Sequence, residues 1–108
     1  MGVTIKDLSS YNSINSINFG EQVLFFKFGA DWCIPCVELD KVLNNVPDSM
    51  LYHISAENED FESFFIDNKI YALPDTIIKY KNSTKRFQGV RTLEQILEMI
   101  KKLKEDSE

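Results

Sequence analysis

The residues best suited to chemistry are Cys33 and Cys36, the only cysteines among 108 residues. They stand in the run Ala30-Asp31-Trp32-Cys33-Ile34-Pro35-Cys36, with a tryptophan before the first and a proline before the second. Thiols at this spacing can close a small disulfide ring without moving the rest of the chain, and can therefore open and close repeatedly. That is thiol–disulfide redox chemistry. Two plainer readings stand beside it: a buried apolar pair, and half of a zinc site. Zinc usually takes four protein ligands, and beyond the pair the chain offers only His53 and carboxylates, so no metal is expected.

Redox use of the pair depends on where it sits. Residues 23–28 are nearly continuously apolar, as in a central strand covered on both faces. Residues 29–32 read as the turn after it. A helix is predicted over 33–44, with Pro35 in its first turn, where a missing N–H costs nothing. Cys36, Leu39, Leu43 and Val46 keep helical spacing on one side of it. Cys33 would then face unpaired backbone N–H groups and the positive end of the helix dipole, which favour the thiolate. Cys33 is therefore expected to be the nucleophile, and Cys36, one turn in, the resolving thiol.

The remaining pattern supplies a scaffold. Residues 3–6 favour a strand, and 7–17 read as a weak helix carrying Tyr11, Ile14 and Ile17 on one face. A strand is predicted over 50–55, and a helix over 57–68 with Asn58 as its cap and Phe61, Phe64 and Phe65 as its stripe. Residues 76–80 and 85–88 read as a hairpin around a turn at 81–84. Thr92 caps a last helix to about residue 104, with Leu93, Ile96, Leu97, Ile100 and Leu103 facing inward; residues 105–108 read as a loose tail. Strands alternating with helices imply an α/β domain with parallel pairs and an antiparallel end.

One domain over 1–108 suits this length. An apolar share of 44%, with eight phenylalanines, can fill its core without disulfide staples. The net charge of −5 argues against nucleic acid and anionic membranes as partners. Residues 1–10 hold no apolar signal core, and no run approaches the roughly 20 residues of a membrane span. A cytoplasmic monomer is expected.

The phrase Phe28-Gly29-Ala30-Asp31-Trp32-Cys33-Ile34-Pro35-Cys36, the Leu73-Pro74 pair and the late Gly89 resemble, in that order, the thioredoxin family. The resemblance covers about residues 23–103. It implies a thioredoxin fold, a central mixed sheet of four to five strands flanked by helices on both faces. It implies that Cys33 attacks and Cys36 resolves, that Pro74 is a cis-proline against the cysteine pair, and that Trp32, Ile34, Pro35, Leu73, Pro74, Gly89 and Val90 form the substrate groove.

Four positions depart from the family pattern. Ile34 replaces the usual glycine, Val37 the usual lysine after the second cysteine, and Asp75 the common threonine after the cis-proline. A carboxylate at Asp75 would oppose a thiolate if it lay near it. Lys27 stands where the family usually places a buried aspartate that handles the resolving thiol's proton. Lys27 and His53, the one histidine, are therefore candidate proton-handling residues. The plainer reading is that Lys27 reaches outward to solvent and His53 is an ordinary strand residue.

The resemblance implies a reductase of protein disulfides without a bound cofactor, recharged by an external thioredoxin reductase or by small thiols. A glutaredoxin-like, glutathione-dependent reductase is one rival, against which the Ile34-Pro35 order argues. The other is a peptide-holding or assembly module with a marginal dithiol.

Overall fold

The computed structural model describes residues 2–4 and 20–106. In chain order these form β1 (Gly2–Thr4), β2 (Val23–Gly29), α1 (Ile34–Leu43), β3 (Ser49–Ser55), a 3-10 turn (Glu59–Phe61) running into α2 (Glu62–Asp67), β4 (Asp75–Tyr80), β5 (Ser83–Gln88) and α3 (Leu93–Asp106). The helix expected over residues 7–17 lies outside the described residues.

The strands lie in the order β1-β3-β2-β4-β5. β2 pairs parallel with β3 and antiparallel with β4. All seven residues of β2 are buried, as its nearly continuous apolar run requires of a strand with a neighbour on each edge and cover on each face. Its alternation divides the core. Leu24, Phe26 and Phe28 pack with Phe61 and Phe64 of the turn and α2. Val23 and Phe25 pack with Leu39 and Leu43 of α1 and with Ile96, Ile100 and Leu103 of α3. Lys27 shares the second face by register, beneath α1.

Local chemistry sets the boundaries. Cys33 is the N-cap of α1 and Asn44 its C-cap. The helix expected over 57–68 begins instead as a 3-10 turn, because the Asn58 side chain accepts a hydrogen bond from the Asp60 N–H at 3.0 Å and tightens the first residues. β5 starts at Ser83, two residues before its expected start. Lys81 takes φ +54°, so the chain reverses at once and Tyr80 already pairs with Ser83. Thr92 and Gln95 exchange hydrogen bonds in a capping box. α3 then runs on through Glu105 and Asp106, which had been expected in a loose tail. Leu97 is exposed rather than part of the inner stripe.

Among the described residues no helix is long and apolar enough to cross a membrane.

Candidate functional site

β2 ends at Gly29, and its carbonyl accepts a hydrogen bond from the Ala56 N–H beyond β3 at 2.8 Å. The Glu57 carboxylate accepts from the Asp31 N–H at 2.8 Å, so the turn carrying Asp31 and Trp32 is tied to the segment that follows β3. Cys33 and Cys36 are joined in a disulfide with their Cα atoms 5.2 Å apart. The Cys33 sulfur also accepts a hydrogen bond from the Cys36 N–H at 3.3 Å. The first sulfur thus lies at the start of α1, as the strand–turn–helix reading requires. Cys33 is 6% exposed and Cys36 is fully enclosed. Gly29 is needed for the close approach: a Cβ there would lie 3.2 Å from the Cys36 sulfur and 3.2 Å from Cε of Lys27.

The expected groove residues surround the disulfide unevenly. Trp32 and Ile34 are 70% and 73% exposed, and Pro35 is exposed beside them. Leu73 is half-buried against Ala30, Cys33 and Cys36. The Leu73–Pro74 peptide bond is cis. The Pro74 carbonyl accepts a hydrogen bond from the N–H of Gly89 at 2.9 Å, which brings the late glycine and exposed Val90 to the cis-proline. Gly89 takes φ +76°, a conformation that favours glycine.

Asp75 differs from its expected effect. It is fully buried, and Arg86 grips both its oxygens, at 2.8 Å from Nε and 2.5 Å from Nη2. Gln88 donates a third hydrogen bond. Asp75 pairs with Phe28 in the sheet register, on the face away from Lys27. Its charge is met by the guanidinium. Arg86 also donates to the carbonyls of Asn68 and Lys69, closing the end of α2.

Lys27 does not reach solvent. It is 5% exposed, pairs with the carboxylate of Asp40, and sends its ammonium to within 3.4 Å of the Cys36 carbonyl. His53, opposite Lys27 in the β2–β3 register, places Nδ1 3.6 Å from the same Asp40 oxygen. Burial pushes the His53 imidazole below its ordinary value; Asp40 pulls it back, Lys27 adds to the drop, and Asp31 opposes it. Lys27, Asp40 and His53 line a cavity of about 710 Å³ together with Asp31, Asn58 and Asp60. None of the expected groove residues lines it.

Sequence reasoning singled out Lys27 and His53 but missed Asp40, which joins them. The available signal was its position four residues past Cys36. That spacing puts a carboxylate on the inner side of α1, over the strand that carries the lysine. Among the described residues no group of three histidines, cysteines or acids is placed to hold a metal ion.

The structure is similar to those of several thioredoxins. Chloroplastic thioredoxin z superposes with a TM-score of 0.75 at 21% identity, over 94% of this chain and 92% of that one. Thioredoxin O2 from Arabidopsis thaliana, in its oxidised state, gives 0.74 at 22%, over 94% and 93%. A thioredoxin from Trypanosoma brucei brucei gives 0.70 at 17%, over 94% and 92%. No family model and no curated sequence matches the chain, so the likeness is one of structure. The chain has the thioredoxin fold, with a disulfide between Cys33 and Cys36 at the start of its first described helix.

Proposed function

We propose that this chain is a thiol–disulfide oxidoreductase that reduces protein disulfides. The observation that carries the reading is the Cys33–Cys36 disulfide at the N-cap of α1, packed against Leu73 beside Pro74 and flanked by exposed Trp32 and Ile34. In the reduced form the Cys33 thiolate attacks one sulfur of a target disulfide. A mixed disulfide forms and one target thiolate leaves. Cys36 then loses its proton and attacks the Cys33 sulfur, and the second target thiolate departs. Two electrons pass to the target, which takes up two protons, and the Cys33–Cys36 disulfide is restored.

In this reading an extended target segment lies along Leu73 and the Gly89–Val90 backbone. The protein works as a cytoplasmic monomer without a resident cofactor. Its electrons come from an external dithiol donor, a thioredoxin reductase in the first instance.

Insulin reduction by dithiothreitol tests the proposal. The wild-type chain is expected to accelerate it and Cys33→Ser to leave the background rate. Equal rates for the two proteins would overturn the reading. The Cys36→Ser variant is expected to hold targets as mixed disulfides on Cys33.

A further inference from the structure

The fully buried Cys36 has a buried cation, Lys27, on the strand beneath it. The Lys27 Cε and the Cys36 sulfur both lie 3.2 Å from the point that a Gly29 Cβ would occupy, so the two are no further apart than twice that distance. The ammonium at the end of the same side chain lies 3.4 Å from the Cys36 carbonyl. Asp40, one turn further along α1, pairs with that ammonium. A buried lysine without such a partner would tend to lose its proton.

We infer that Lys27, held by Asp40, is a positioning residue that stabilises the thiolate of Cys36 and so sets the pH range in which Cys36 can resolve a mixed disulfide. The inference rests on the thiol–disulfide reading proposed above, and gives the inner half of the cysteine pair a role for its surroundings. Burial alone would raise a thiol's pKa by penalising its charged form. A nearby ammonium acts the other way, and acts strongly where water is excluded.

Other groups face the same place. His53 on β3 reaches Asp40 and competes for it when protonated. Asp31, in the turn before the helix, acts on His53. Thr76, opposite Lys27 on β4, brings only a buried hydroxyl without a hydrogen-bond partner. The Asp75 charge lies on the other face of the sheet and is met by Arg86.

The test is a titration of Cys36 in the Cys33→Ser chain, where it is the only thiol. Serine also leaves the neighbouring position uncharged, as it is in a mixed disulfide. Thiolate absorbance in the ultraviolet reports ionisation without requiring a reagent to reach the buried sulfur. Cys36 is expected to ionise below the ordinary thiol value of about 8.5 despite its burial; ionisation above that value overturns the inference. Adding Lys27→Gln is expected to raise the midpoint by about one pH unit, a tenfold smaller thiolate fraction at pH values below both midpoints. Adding Lys27→Arg is expected to keep it near that of the parent. An unmoved or lowered midpoint in Lys27→Gln overturns the inference, and if that variant does not fold, the parent titration decides alone. Insulin reduction separates the two proposals. If Cys36 titrates as expected in the Cys33→Ser chain but the wild-type chain does not reduce insulin, the reductase is refuted and the Lys27 effect stands. If the wild-type chain reduces insulin while Cys36 of the Cys33→Ser chain ionises above the ordinary value, only the Lys27 effect is refuted.

Discussion

Asp40 lies one turn of α1 beyond Cys36, and its carboxylate pairs with the ammonium of Lys27 on the strand below. The helix that carries the disulfide is thereby fastened to the central strand by charge as well as by the packing of Leu39 and Leu43. The two partners differ in environment: the Lys27 side chain is 6% exposed and that of Asp40 26%.

That difference predicts unequal losses. Asp40→Asn leaves a buried ammonium without its counter-charge and is expected to cost about 3 kcal/mol, the scale found when one partner of a buried pair is removed. Lys27→Met leaves a carboxylate that water can already reach, and fills its own site with an apolar chain of similar length. It is expected to cost less than about 1.5 kcal/mol. Urea unfolding of both variants, each in the oxidised form, measures the asymmetry. Equal losses would mean that the pair does not hold the lysine.

Gly29→Ala predicts a cost that depends on redox state. The added methyl would meet the Cys36 sulfur and the Lys27 side chain at once. Lys27 is held by Asp40 and, in the disulfide, the sulfur is tied to Cys33, so neither can retreat freely. Overpacking of this kind costs about 1–3 kcal/mol. Reduction unties the sulfur and lets it move. The destabilisation is therefore expected to be larger in the oxidised than in the reduced protein. Denaturant midpoints of wild type and variant, with and without reductant, read it directly.

Arg86→Ala is expected to loosen the segment before the cis-proline as well as to destabilise the fold. The guanidinium meets Asp75, which is fully buried, and also the carbonyls of Asn68 and Lys69. Its removal leaves a buried carboxylate with Gln88 as its remaining side-chain donor, at a cost of about 3 kcal/mol or more. The expected signature is faster amide hydrogen exchange across residues 68–74, beyond any general rise elsewhere. Uniform acceleration over the whole chain would show that Arg86 supports the fold without holding this segment.

Among the described residues the order of strands and helices was legible because it rests on local pattern: the apolar run of β2, the Thr92 cap, the stripe of α3. The cis bond before Pro74 was legible only through resemblance, since no property of Leu73 or its neighbours demands it. The early start of β5 escaped because Lys81 adopts a positive φ that its side chain does not announce. Within the site the cysteines stood out by type and spacing, but the charge balance around them did not. The partners of Lys27 and Asp75 lie 13 and 11 residues away, and both pairings depend on which face of the sheet a helix or strand covers. Asp75, taken by itself, looked like a threat to the thiolate. Arg86 answers it across one strand pair.

His53 gives a prediction in pH. Its folded-state pKa is lowered, chiefly by burial, so the folded protein resists a proton that the unfolded chain accepts near the ordinary value of about 6.5. As pH falls through that value the unfolded state binds more protons than the folded state, and stability decreases until the folded imidazole titrates in turn. His53→Gln removes this loss while keeping a polar side chain beside Asp40. Between about pH 7 and pH 5.5 the wild type is therefore expected to lose more stability than the variant. Urea unfolding at the two pH values gives the double difference, which cancels the effects common to both proteins. A larger acid loss in His53→Gln would mean that the attraction of Asp40 outweighs burial and that the folded imidazole gains its proton early.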